Sequence, residues 1–229
     1  MILKIAYLAL ALIVTGIVLM ADQRLAKQIQ LPIRMHVALP VWHIYLYLIA
    51  LSGITETLSF PPRFVLLTIL PAFLFIAWYA YQLKRHEWSQ VIRPHYLILF
   101  QFFRIGIELL FISTLHKGLL HKHITIEGYN FDMIFAATSL LAGWLVMRGH
   151  YRIGIAWNYI GLMVIGSIIV VVQTTIYMPD LYGPDTAPFN IAFIQYPYLL
   201  VAGFLMPVAV FVHVLSILQL RALKKARRA

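Results

Sequence analysis

The chain reads as an all-α integral membrane protein: a bundle of seven transmembrane helices, N-terminus outside and C-terminus cytoplasmic. Three observations predict this. Of 229 residues, 62% are hydrophobic and only 11% are charged, far from the composition of soluble domains. The apolar residues fall in seven runs, each close to the ~20 residues a helix needs to cross a ~30 Å hydrocarbon core. Lysine and arginine gather in alternate connections, the pattern that orients a membrane protein.

The spans follow in order. The first, 2–20, carries Lys4 ahead of an apolar stretch that would also suit a signal peptide, and is read as a retained helix. A basic connection (Arg24, Lys27, Arg34) leads to the second, 37–55, and a Phe-Pro-Pro-Arg turn at 60–63 to the third, 64–83. The fourth is 96–115. A polar loop, 116–129, precedes the short fifth, 131–147. The tight Arg-Gly-His-Tyr-Arg connection at 148–152 makes the sixth, 153–177, its antiparallel neighbour. A Pro/Gly/Asp-rich loop, 178–190, comes before the last, 196–220. Residues 1–220 thus form one domain, and 221–229 a basic cytoplasmic tail. No soluble domain or internal repeat fits between them.

Orientation rests on counting. With the N-terminus outside, thirteen lysines and arginines fall on the cytoplasmic side, from Arg24 through Arg228. Lys4, Arg63, Lys117 and Lys122 fall opposite. Glu56, Glu127, Asp132, Asp180 and Asp185 also lie outside, against Asp22 and Glu87 inside. The formal charge of +10 is therefore an orientation signal that also suits anionic lipid. A bacterial inner (plasma) membrane is the expected location. Nucleic acid is excluded as a partner, since no phosphate loop, zinc-finger spacing or basic-aromatic motif occurs. Cysteine is absent, which removes disulfides, thiolate metal sites and cysteine nucleophiles.

The fourth span carries the chemistry. Gln101, Arg104 and Glu108 stand at i, i+3 and i+7, one stripe of a helix. A charge at bilayer depth costs roughly 2.5–3.5 kcal/mol on insertion scales, so the stripe is expected to face the bundle with Arg104 and Glu108 paired. The fifth span has Asp132, Ala136, Ser139 and Gly143 on one face, either a packing seam capped by Asn130 or Asp132, or the wall of an outer pocket. Glu56, Arg63 and Asp132 are expected to join Arg104 and Glu108 around a cavity opening outward. Asn158, beside Gly154 and Gly161 in the sixth span, needs a hydrogen-bond partner, and Gln173 can join the same wall. His36, Pro40, His43 and Tyr47 form a stripe in the second span. His43 with His213 would make a proton relay. Pro197 and Pro207 bracket Gly203, which predicts a kink. His116, His121, His123 and Glu127 match no metal motif, so neither metal nor cofactor is expected. Trp42, Trp78, Tyr79, Tyr81, Trp88, Tyr151, Tyr177 and Tyr182 read as interfacial belts.

Retinal proteins share this topology but need a lysine in the last span, and none lies between Tyr196 and Leu220. The expected function is transport or conduction of a small polar or ionic solute through a buried charged site, rather than catalysis. Two alternatives stand beside it: a non-transporting sensor or subunit of a membrane assembly, and an intramembrane enzyme acting on a lipid or isoprenoid. The partners implied are membrane lipid, a small polar solute, and a second copy or another membrane protein.

Overall fold

The computed structural model describes residues 1–58, 61–183 and 189–227, whose regular structure is all helical, with no strand among them. Phe60 of the Phe-Pro-Pro-Arg turn, Asp185 and Arg228 lie outside the described residues. The helices are α1 (Ile2–Ala26), α2 (Met35–Leu51), α3 (Leu70–Leu83), α4 (Pro94–Phe100), α5 (Phe103–Leu115), α6 (Asp132–Ala137), α7 (Ser139–Met147), α8 (Tyr151–Tyr177) and α9 (Met206–Ala226). Among the described residues five stretches are long and apolar enough to cross a membrane: α1, Val65–Leu83, Pro94–Leu115, α8 and Val201–Ala226. α2 and Asp132–Met147 are shorter apolar helices.

The centre of the bundle is α9, not the fourth span. In its most apolar stretch 72% of residues are buried, against 22% in α1 and α8. It packs against α3, α4 and α8. Its start is later than the apolar composition of 196–200 implies, and its end runs on to Ala226, where Leu223 is still buried. At that end Gln219 Nε2 donates to the carbonyls of Ser89 and Ile92, at 2.8 and 2.5 Å, tying α9 to the α3–α4 connection.

Prolines shape two of the helices by one device. Pro71 and Pro207 sit in the first turns of α3 and α9, each preceded by a π-helical turn, Val65–Ile69 and Val201–Leu205. Proline has no N–H and its ring crowds the carbonyl four residues back, so a wider turn relieves the clash. Those carbonyls belong to Leu67 and Gly203. Both are answered from α2: the Tyr45 hydroxyl donates to Leu67 O at 2.8 Å, and Trp42 Nε1 donates to Gly203 O at 2.7 Å. The two rings stack on each other, centroids 5.0 Å apart.

The predicted fourth and fifth spans are each broken once. Around Gln101 and Phe102 the bonds tighten to i→i−3, and Thr138 does the same between α6 and α7. Gln101 is fully buried there, its amide donating to Ala209 O at 2.9 Å. The small-residue face of the fifth span lies inward. A Cβ on Gly143 would run into Leu99, so α4 and α7 touch closely at that point.

Three aromatic expectations need correction. Tyr79 and Trp88 are buried inside the protein, and Trp42 serves as the donor to Gly203. The α2 stripe is corrected as well: His36, Pro40 and Tyr47 are exposed, so that face looks away from the bundle.

Candidate functional site

Arg104 projects from the start of α5 into the space between α6 and α9 and is 1% exposed. Its Nε donates to Asp132 Oδ2 at 2.9 Å, and its Nη2 bonds Asp132 Oδ1, a two-point guanidinium–carboxylate pair. The expected Arg104–Glu108 pair is therefore corrected to Arg104–Asp132. Glu108 turns instead to the loop. It accepts from Ile126 N at 2.5 Å and from Asn130 Nδ2 at 2.7 Å. A backbone N–H drawn into the protein must find an acceptor, and Glu108 supplies it. Loop 116–130 is thus no solvated connection, because Ile124, Thr125 and Asn130 are buried over Glu108.

The third Arg104 bond fixes a proton position. A guanidinium only donates, so His213 Nε2, 3.0 Å from Arg104 Nη1, accepts. His213 then carries its proton on Nδ1 and donates to Asn158 Oδ1 at 2.8 Å. Asn158 Nδ2 donates in turn to Gly154 O at 2.7 Å and Ser216 Oγ at 2.9 Å. On the other side, Asn130 Oδ1 accepts the Asp132 N–H at 3.0 Å. One hydrogen-bonded chain therefore runs Glu108, Asn130, Asp132, Arg104, His213, Asn158, Ser216. The rings around it are equally close. Arg104 Cζ lies 5.5 Å from the Phe135 centroid, and Phe135 stacks on Trp157 at 4.7 Å. A Cβ on Gly161 would strike the His213 ring and Phe135, so only glycine leaves room for that imidazole.

A cavity of about 90 Å³ adjoins the chain. Arg104, Glu108, Asn130 and Asp132 meet it at one end, and Gln173 lies on its α8 side. Its remaining walls are largely apolar, from Phe64 and Ile69 near α3, Ile165, Ile169 and Val172 on α8, and Val201 and Met206 by α9. Below it, Ile98, Ala142, Val146, Trp157 and Leu220 pack together.

Other expected members lie elsewhere. Gln101 is on the buried stripe but bonds the α9 backbone. Glu56 accepts from Gln195 at the exposed rim, 2.9 Å, and Arg63 is exposed, so neither lines the cavity. His43 sits 3.2 Å from Thr15 Oγ1 and against Phe204. No hydrogen bond among the described residues joins it to His213. His121 and His123 stack on each other and His123 on Tyr182, each pair with centroids 4.4 Å apart. Among the described residues no three histidine, aspartate or glutamate side chains gather as metal ligands.

Sequence reasoning underused Asn130 and missed Ser216. Ser216 stands three residues after His213 on a helix otherwise apolar there, a visible signal for an inward polar face. Comparison with family models, curated proteins and solved structures returns no match.

Proposed function

We propose that the chain is a seven-span membrane protein, N-terminus outside, that binds a small amphipathic molecule in the outer half of its bundle. The carrying observation is the cavity itself: apolar walls between α3 and α8, ending in the Arg104–Asp132 pair with Glu108 and Asn130. Pockets that combine apolar walls with a few convergent polar groups suit ligands of mixed character. The head would meet Glu108 and Arg104, and the apolar part would lie along Ile165 and Ile169. Orientation rests on the lysine and arginine asymmetry, which also suits a plasma membrane. With no native cysteine, single cysteines replacing His121 and Lys225 should label from opposite faces; labelling from one face overturns the topology.

The ligand reading is tested by thermal unfolding of the purified protein with short-chain amphiphiles bearing amine, alcohol or carboxylate heads. One head class should stabilise the parent and fail to stabilise Ile169→Trp, which fills the cleft and keeps every charge. Equal effects on both proteins, or none from any probe, overturn it. Passage of a small polar solute is the second reading. What favours it is the irregular backbone around the cavity, at Gln101–Phe102, Val65–Ile69 and Val201–Leu205, since broken helices are where membrane helices change shape. Solute uptake into proteoliposomes that Asp132→Asn abolishes would move the balance to it.

A further inference from the structure

A second buried polar cluster lies where α1 ends, among the arginines of the opposite end of the bundle. Asp22 is 2% exposed, yet its Oδ1 has no hydrogen-bond partner, and Oδ2 lies 3.6 Å from His36 Nδ1. Tyr79, also 2% exposed, directs its hydroxyl at Asp22, with Arg34 close by. Arg34 Nη1 is buried and equally unmatched. A buried polar group left unmet is costly, so an unpartnered carboxylate oxygen near an unpartnered guanidinium nitrogen marks a site built for something else.

The surroundings say what. A cavity of about 270 Å³ between α1, α4 and α9 is lined by Asp22, Arg24 and Tyr79 and otherwise almost wholly by apolar side chains. A second, of about 390 Å³ and lined almost entirely by apolar side chains, separates α2 from α3. The two share Val18, Met35 and Phe211. One acid and one arginine, Asp22 and Arg24, thus line one of two adjoining apolar clefts, at the level of the basic connections.

We propose that this is a binding site for a phospholipid with a primary-ammonium headgroup. The ammonium donates to Asp22 Oδ1, the phosphate accepts from Arg24, the Tyr79 hydroxyl donates to a phosphate or ester oxygen, and the acyl chains occupy the clefts. A quaternary ammonium has no N–H to give Asp22, and a glycerol headgroup brings no cation, so the site ranks headgroups.

The test equilibrates the full-length protein with equal amounts of phosphatidylethanolamine, phosphatidylcholine and phosphatidylglycerol, then weighs the retained lipid by native mass spectrometry. Phosphatidylethanolamine should be enriched about tenfold, and Asp22→Asn should abolish the preference. Tyr79→Phe, which keeps the ring, should weaken retention while preserving the ranking. Equal retention of the three lipids, enrichment of either other headgroup, or a preference untouched by Asp22→Asn overturns the proposal. Should Asp22→Asn fail to fold, the parent's ranking and the Tyr79→Phe comparison still decide.

Discussion

α9 is built against two neighbourhoods that solve the same problem differently. Toward α2 and α3, the backbone is irregular and the side chains are neutral: Trp42 and Tyr45 each give one hydrogen bond to a carbonyl that a proline cannot serve. Toward α5, α6 and α8, ten residues further along, the side chains are charged and linked in series from Glu108 to Ser216. The first repairs are local, since each donor answers one acceptor and touches no other repair except by stacking. The second arrangement is collective, because each member holds the orientation or proton that the next requires. Away from water an unmet dipole is costly and an unmet charge far more so. Cutting the two should therefore give very different losses.

The largest effect is expected at the charged pair. Removing one partner of a buried ion pair typically costs ~3–5 kcal/mol because the other is stranded. Asp132→Ala should thus sharply lower the folded yield and unfolding temperature in detergent. Replacing both, Arg104→Leu with Asp132→Leu, should recover much of the loss. Glu108→Gln should cost less than Asp132→Ala, since Glu108 carries no bond to Arg104. A Glu108 variant as damaging as Asp132→Ala, with Asp132→Ala itself mild, would reverse the assignment of partners.

The neutral side gives a smaller number and a sharper test. A single hydrogen bond contributes about 1 kcal/mol net, so Trp42→Phe should lower stability by about that amount. Pro207→Ala restores an N–H able to serve Gly203 O from within the helix. In that background Trp42→Phe should cost distinctly less. A Trp42 cost that is identical with proline or alanine at 207 would show that the ring packs and does not repair the backbone.

The sequence makes the seven apolar runs legible because bilayer thickness is a strict length filter, and most boundaries fall within a few residues. It also makes the burial of Gln101, Arg104 and Glu108 legible, because one helical face carries all three. Partner choice is not legible. Spacing along a helix reports only same-helix neighbours, so Glu108 stood nearest Arg104 on paper. Asp132 meets the Nε and Nη2 edge of Arg104 from α6, while the folded-back loop claims both oxygens of Glu108 through the Ile126 N–H and the Asn130 amide. The role of Trp42 was hidden for a related reason. Tryptophans near span ends ordinarily mark the membrane interface, and only the register of α2 against Pro207 shows which carbonyl this one answers. The importance of α9 was open to view in His213, Ser216 and Gln219, three inward polar residues at three-residue steps.

The smallest effect concerns the loop that covers the charged chain at Glu108, and it separates the two neighbourhoods by pH. His121 and His123 both hold their protons less readily than the ordinary histidine value of 6.5. For His121 the causes are burial and then Lys122; for His123 they are burial, His121 and Lys122. The folded loop therefore binds fewer protons than the opened one. Its stability is complete above about pH 6.5 and declines as the pH falls below that value, when the opened loop takes up protons first. Because the stack of His121, His123 and Tyr182 holds the segment whose Ile126 N–H and Asn130 amide reach Glu108, acid should loosen that cover. Amide exchange at Ile126, corrected for its intrinsic pH dependence, should accelerate between about pH 7 and pH 5.5. Exchange at Gly203, whose N–H donates to Leu199 O at 2.9 Å and whose carbonyl accepts from Trp42, should stay flat, since neither bond involves a group that titrates in this range. In a His121→Gln and His123→Phe double variant the acceleration at Ile126 should be reduced. If Ile126 exchange is level across this range in the parent, the histidine stack does not govern the cover over Glu108. The charged chain would then be held shut by Glu108 and Asn130 alone.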